Sequence, residues 1–133
     1  MQYLIGLDIG TSSIKGVLIS TEGVIKHTAR EAFDYEKPSE AALEVSAQNF
    51  LSACLSAIRQ LADAADGDEV VALCASSASG NLVVLDENME PATGIINWQD
   101  CRVQNEAHEV LGELDTDAMY RKMGWPFNPH TFP

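Results

Sequence analysis

The 133-residue chain is long enough for one domain with a real core, and its 46% apolar content predicts a folded globule, not a disordered segment. The net charge of −12 disfavours nucleic acid and anionic membrane surfaces as partners. No apolar run reaches transmembrane length, the start lacks the basic region of a signal peptide, and the three widely spaced cysteines predict reduced thiols in a cytoplasmic protein.

The first half of the chain predicts a sheet with one helix. Residues 3–9 and 14–20 are apolar on both faces, which is typical of two strands at the centre of a sheet. Apolar and polar residues mix in 24–33, and this pattern predicts a third, antiparallel and half-exposed strand. Apolar side chains recur at helical spacing from a cap at Ser46 to about residue 64, and the apolar run 70–76 predicts a parallel core strand after this helix.

The second half of the chain mixes short strands and helices. Strands are predicted at 82–86 and 93–97, on either side of a turn. Helical spacing over 99–114 predicts a second helix. A short third helix is expected to begin with a cap at Thr116 and to stop at Gly124.

The segment LIGLDIGTSSIKGVLIS at residues 4–20 carries a pattern of charge and small residues that suits an anion. Asp8 stands inside an apolar run, and because burying an unpaired carboxylate is costly, a cation or hydrogen-bond donors are expected beside it. Residues 10–12 (Gly10, Thr11, Ser12) offer close backbone approach and N–H groups for phosphate, and Lys15 adds a positive charge. These residues predict a Mg-nucleotide site on a β-hairpin.

The pattern Asp-x-Gly-Thr-x-x-x-Lys resembles the first phosphate motif of the actin/hexokinase/Hsp70 superfamily, and most closely that of its FGGY branch of carbohydrate kinases. The resemblance implies an α/β fold of the ribonuclease H-like class, a mixed sheet with flanking helices, which the predicted β-β-β-α-β order matches. Residues 1–133 would then form an incomplete N-terminal domain, and the family's second, ATP-binding domain has no counterpart here. The implied cofactors are ATP and Mg²⁺.

The resemblance also implies a role for each residue of the motif. Asp8 would hold Mg²⁺ through water, and Lys15 would neutralise charge on the transferring phosphoryl group. The phosphate would be cradled by backbone N–H groups of Gly10, Thr11 and Ser12. The other interpretation of Lys15 is a solvated hairpin lysine.

A second segment, residues 70–102, resembles the region that lines the sugar pocket in FGGY kinases. It ends in a Trp-x-Asp-x-Arg-like motif, and its loop aligns with the pair that contacts substrate in xylulose and glycerol kinases. The implied substrate-binding residues are Ser79, Gly80, Trp98, Asp100 and Arg102. The competing structural interpretation of Trp98 is a core tryptophan. Asp100 could instead be an acid at a helix start with Arg102 as its salt-bridge partner, and Gly80 a plain turn glycine.

The implied function is ATP-dependent phosphorylation of a hydroxyl of a pentulose or related sugar or polyol. The general pattern is most similar to that of xylulose kinases, which implies xylulose as substrate. Gluconate, glycerol and ribulose are the other candidate substrates. The family's general base is an Asp of the second domain, so no catalytic residue is assigned and this chain alone is expected to be inactive. The alternative is a non-catalytic binding module, in which an unpaired sheet edge would favour a homodimer.

Overall fold

The computed structural model describes residues 1–103, 106, 109 and 112–125, which fall into two compact units. The first unit comprises Met1–Asp34 and Ala47–Ala78, and the second comprises Tyr35–Ser46 and the described residues from Ser79 onward. The named elements in chain order are β1 (Gln2–Ile9), β2 (Ser13–Ser20), β3 (Ile25–Ala32), β4 (Glu44–Val45), α1 (Ala47–Asp63), β5 (Glu69–Ser77), β6 (Ile95–Ile96) and α2 (Thr116–Met123). Among the described residues, no helix combines the length and the apolar character needed to span a bilayer.

The first unit is a four-stranded mixed sheet in the order β3-β2-β1-β5. Strands β1, β2 and β3 form an antiparallel meander, and β5 returns after α1 to pair parallel with β1. The crossover through a helix is what allows this parallel pairing. The predictions of two central strands, an antiparallel third strand and a parallel strand after the helix are therefore confirmed. The expected core position of that parallel strand is wrong, because β5 lies at the edge of the sheet and all but one of its residues are exposed.

One face of this sheet packs on α1 and forms the core of the first unit. The side chains alternate along each strand, so every second residue points to the helix. The buried apolar residues of this core are Tyr3, Ile5, Leu7, Ile14, Leu18, Ala29, Ala53, Ala57, Leu61 and Ala65. Helix α1 comes very close to β2, because a Cβ added at Gly16 would stand only 2.5 Å from Leu61 Cδ1.

The opposite face of the sheet contains Leu4, Gly6 and Asp8 of β1 and, directly across from them, Lys15 and Val17 of β2. We call this the Asp8 face. Leu4 is 36% exposed there, and Asp8 and Lys15 are exposed as well. The uniform apolar composition of β1 and β2 therefore indicates their central position but does not distinguish the face that packs on α1 from the Asp8 face.

The second unit has less regular structure than its sequence predicts. Strands β4 and β6 pair antiparallel over two residues each. Within the predicted strand 82–86 the structure has only isolated bridges, from Leu82 to Ile96 and from Leu85 to Pro91. The predicted strand is interrupted because the Asp86 side chain accepts hydrogen bonds from two backbone amides of the following turn, at 2.8 and 2.9 Å.

The helices of this unit begin at different residues from those predicted. Residues 99–103 are not helical; residues 106, 109 and 112 are, and the positions between them lie outside the described residues. Helix α2 is capped by Asp115, whose side chain accepts from the amide of Ala118 at 2.9 Å, so the expected cap at Thr116 is wrong by one position. The predicted stop at Gly124 is confirmed, since its φ of 72° is left-handed.

Candidate functional site

The β1–β2 hairpin brings Asp8 and Lys15 together. They are direct partners in the antiparallel register, and the Lys15 ammonium donates to Asp8 Oδ2 at 3.2 Å. Both side chains are 58% exposed. The expected cation beside Asp8 is thus present, but Asp8 is not buried, so its carboxylate and the Lys15 ammonium remain accessible to a ligand.

The turn that joins β1 and β2 is closed by its own backbone. The Gly10 amide donates to the Ser13 carbonyl at 3.1 Å, and a Cβ added at Gly10 would stand 3.1 Å from that same oxygen. Glycine therefore fits this tight approach better than any larger residue. The Gly10 amide is thus used inside the turn, whereas Ser12 is exposed.

Asp8 and Lys15 also line a shallow cleft of about 360 Å³ on the Asp8 face. Strand β5 forms its other side, because the parallel register places Cys74 beside Gly6 and Ser76 beside Asp8. The cleft surface is mainly apolar, and a carboxylate, an ammonium, a hydroxyl and a thiol stand among the groups that line it.

Asp100 and Arg102 form an ion-paired cluster in the second unit. The Asp100 side chain is only 4% exposed, and its Oδ2 accepts from the Leu43 amide at 2.8 Å and from Arg102 Nη2 at 2.9 Å. Arg102 Nε lies 3.0 Å from both carboxylate oxygens, and Nη2 also pairs with Glu44 Oε1 at 2.6 Å. The salt bridge between Asp100 and Arg102, one of the sequence-based alternatives, is confirmed.

This cluster shifts the ionisation of Asp100. Burial acts to raise the pKa of its carboxyl, but hydrogen bonds from Arg102 and from the Leu43 amide outweigh burial and hold the pKa below its usual value. The hydrogen bonds that Arg102 donates to Asp100 raise the pKa of the Arg102 guanidinium. Both groups are therefore charged at neutral pH.

Trp98 and the loop residues lie on the surface of the second unit. Trp98 is 39% exposed, which argues against a core tryptophan, and its backbone amide donates to Asn81 Oδ1 at 3.1 Å. Gly80 has a φ of 84°, and a Cβ there would stand 3.1 Å from Trp98 Cβ, so the turn requires glycine. Ser79 is exposed. The structure brings Gly80 and Trp98 together.

A sequence model of the N-terminal domain of the FGGY family of carbohydrate kinases matches residues 3–132. The chain belongs to this family. The gluconokinase of Bacillus subtilis (strain 168) is 28% identical over 127 residues, covering 96% of this chain and 25% of that protein. The xylulose kinase of Lactococcus lactis subsp. lactis (strain IL1403) is 29% identical over 116 residues, covering 86% of this chain and 23% of that protein. The chain thus spans about a quarter of these curated relatives.

Solved FGGY kinases share the fold. The xylulose kinase of Lactobacillus acidophilus superposes with a TM-score of 0.88 at 25% identity, covering 98% of this chain and 26% of that structure. The likeness confirms the predicted class, an α/β mixed sheet of the actin/hexokinase-like type.

Sequence reasoning missed two residues of the cleft in this FGGY chain, Cys74 and Ser76. The apolar run 70–76 indicates a parallel strand, yet it gives no register against β1. Only the pairing of Asp8 with Ser76 shows which β5 side chains reach the cleft. An available signal was the small polar end of the strand, since polar side chains at a carboxyl edge often bind ligands.

Proposed function

We propose that this chain supplies the phosphate-binding hairpin and part of the sugar pocket of an ATP-dependent kinase that phosphorylates a sugar or polyol hydroxyl. The observation that carries the proposal is the Asp8–Lys15 pair, exposed beside the Gly10 turn in a chain that belongs to the FGGY carbohydrate kinases. Phosphoryl transfer depends mainly on positioning and on charge stabilisation, and these residues suit both tasks. The chain spans about a quarter of these relatives, and we expect the transfer itself to need residues of the remaining part.

The donor set at Asp8 fits Mg²⁺. This ion prefers oxygen ligands, keeps several waters, and binds through one or two carboxylates together with phosphate oxygens. Asp8 offers one exposed carboxylate within 3.2 Å of an ammonium. When bound, Mg²⁺ supplies charge neutralisation to the phosphate. Lys15 would bind the phosphoryl oxygens, and Thr11 and Ser12 would orient them at the turn.

We propose a neutral sugar of the xylulose type as substrate, with ribulose or glycerol as further candidates. Gluconate is the alternative substrate against which this proposal is weighed. Both gluconokinase and xylulose kinase are among the relatives, at 28% and 29% identity. A gluconate carboxylate would need a cation, but the Arg102 guanidinium is already paired with Asp100 and Glu44. That pairing favours a substrate recognised through hydroxyls, with Trp98 as an aromatic wall and Ser79 and Gly80 at the loop.

The test is the binding of Mg-ATP by the purified chain, measured by calorimetry on Lys15→Gln and Asp8→Asn. Loss of one charge-assisted contact is expected to weaken binding about tenfold. Lys122→Gln, an exposed lysine of α2, is the matched control and is expected to leave affinity unchanged. Equal affinity of Lys15→Gln and the control would contradict the phosphate role.

A second assay measures ADP release with Mg-ATP and xylulose, ribulose, gluconate, glycerol or no sugar. We expect no sugar-dependent turnover by this chain, because no general base is assigned to it. Turnover with one sugar would identify the substrate and would refute the expectation that the chain alone is inactive.

A further inference from the structure

Four side chains form one row across the sheet of the first unit. Asp8 of β1 is the register partner of Lys15 of β2, and Lys15 is in turn the partner of Arg30 of β3. On the other side of Asp8, the parallel register places Ser76 of β5. Residues directly opposite in a sheet share a face, so Arg30 extends the row of the phosphate hairpin by one strand.

The neighbours of Arg30 along β3 place its side chain on the Asp8 face. Ala29 is buried in the core against α1. Glu31 also points to the helix, since its Oε1 accepts from Ser56 Oγ of α1 at 2.9 Å and from Gln60. Side chains alternate along a strand, so Arg30, between these two residues, lies on the opposite side together with Lys15.

Arg30 carries a positive charge that the described residues do not neutralise. Lys15 is paired with Asp8 at 3.2 Å, and Glu31 is engaged on the other face. Within the described part of the chain Arg30, which is exposed, forms no ion pair. Two like charges directly opposite in neighbouring strands destabilise the pair, with Cβ atoms about 5 Å apart. The row Asp8–Lys15–Arg30 is therefore net positive in a chain of net charge −12.

We propose that Arg30 is a second cation of the phosphate site, binding the polyphosphate of the nucleotide beside Lys15. This proposal rests on the proposed function of the hairpin. A guanidinium presents a planar fork of donors that matches phosphate oxygens, and an anion across Lys15 and Arg30 relieves their mutual repulsion. Engagement of Asp8 by a metal removes the partner of Lys15, so the attraction of the row for phosphate increases when Mg²⁺ arrives.

The experiment is calorimetric titration of the chain with inorganic tripolyphosphate at an ionic strength of about 0.15 M, where the Debye length is about 8 Å, without metal. The variants are Arg30→Gln, Arg30→Lys and Lys15→Gln, and the control is Arg59→Gln, which removes the same charge from an exposed position on α1. Arg30→Gln is expected to raise Kd about tenfold and Arg30→Lys by less, because lysine keeps the charge but loses the fork. The control is expected to change Kd less than about twofold, since exposed charges more than a Debye length apart are screened.

The outcomes separate this proposal from the function on which it rests. If Lys15→Gln weakens binding but Arg30→Gln behaves as Arg59→Gln does, the role of Arg30 is refuted and the phosphate hairpin stands. If the wild-type chain does not bind tripolyphosphate, or Lys15→Gln binds it as tightly, both ideas are overturned. Thermal melts of each variant show whether unfolding is the cause, and Arg30→Gln is expected to melt no lower than the wild type, because Arg30 is exposed and the loss of its charge relieves the repulsion from Lys15.

Discussion

Replacement of Gly16 by alanine tests how closely α1 packs on the sheet. The new Cβ would stand 2.5 Å from Leu61 Cδ1 and 3.0 Å from Leu7 Cδ2. Carbon atoms in contact prefer about 3.5–4.0 Å, so the helix and strand must separate by about 1 Å or Leu61 must leave its rotamer. Leu61 is fully buried. We expect a cost of about 1–3 kcal/mol, which lowers Tm by about 4–12 °C for a chain of this size.

Gly6→Ala is the matched control, because Gly6 lies on the neighbouring strand but on the Asp8 face. A Cβ there would meet only Val17 Cγ1, at 3.3 Å, so the neighbour has to give by a few tenths of an ångström. Alanine is otherwise favoured over glycine in a strand by about 0.5–1 kcal/mol, and we expect Gly6→Ala to change stability little or to raise it. Circular dichroism melts and urea titrations measure both variants. If Gly16→Ala has the same Tm as Gly6→Ala, the inferred close approach of α1 to β2 is wrong.

Two further predictions concern the second unit. Tyr35→Phe is expected to lower the free energy of unfolding by about 1–3 kcal/mol in a urea titration. The reason is that Asn97 is 1% exposed and its Nδ2 donates to the Tyr35 hydroxyl at 2.8 Å, so the change leaves a buried donor without this acceptor. The control, Tyr120→Phe on exposed α2, is expected to leave the free energy of unfolding unchanged. The pKa of Asp100 is lowered in the fold, so its ion pair with Arg102 stabilises the protein above the ordinary Asp pKa of about 3.9 and loses that contribution as the pH falls through the lowered value. In thermal melts between about pH 2.5 and 6, the Tm of the wild type is expected to fall as the pH falls, and the Tm of Asp100→Asn is expected to fall less. The same dependence of Tm on pH in both proteins would contradict the prediction.

The hairpin was predictable from sequence because its signals are local. Two apolar strands, a glycine turn and charges seven residues apart in an antiparallel pair place Asp8 beside Lys15 with no knowledge of the rest of the fold. The strand 82–86 was not predictable in the same way. Its apolar composition favours a strand, but Asp86 bonds the following turn and only isolated bridges remain. The hydrogen bonds that the Asp86 side chain accepts from the turn formed in place of regular strand pairing along residues 82–86.

The sequence by itself determined the family, the order of the four strands and the helix of the first unit, and the pairing of Asp8 with Lys15, because motif spacing and the alternation of side chains are properties of the chain alone. The tertiary structure decided which face of β1 and β2 is core, since only the docking of α1 buries Ile5 and leaves Asp8 exposed. It also decided that Ser76 and Arg30 share a row with Asp8. Register between strands distant in sequence is fixed by packing and hydrogen bonding across the sheet, and single-strand patterns do not contain it.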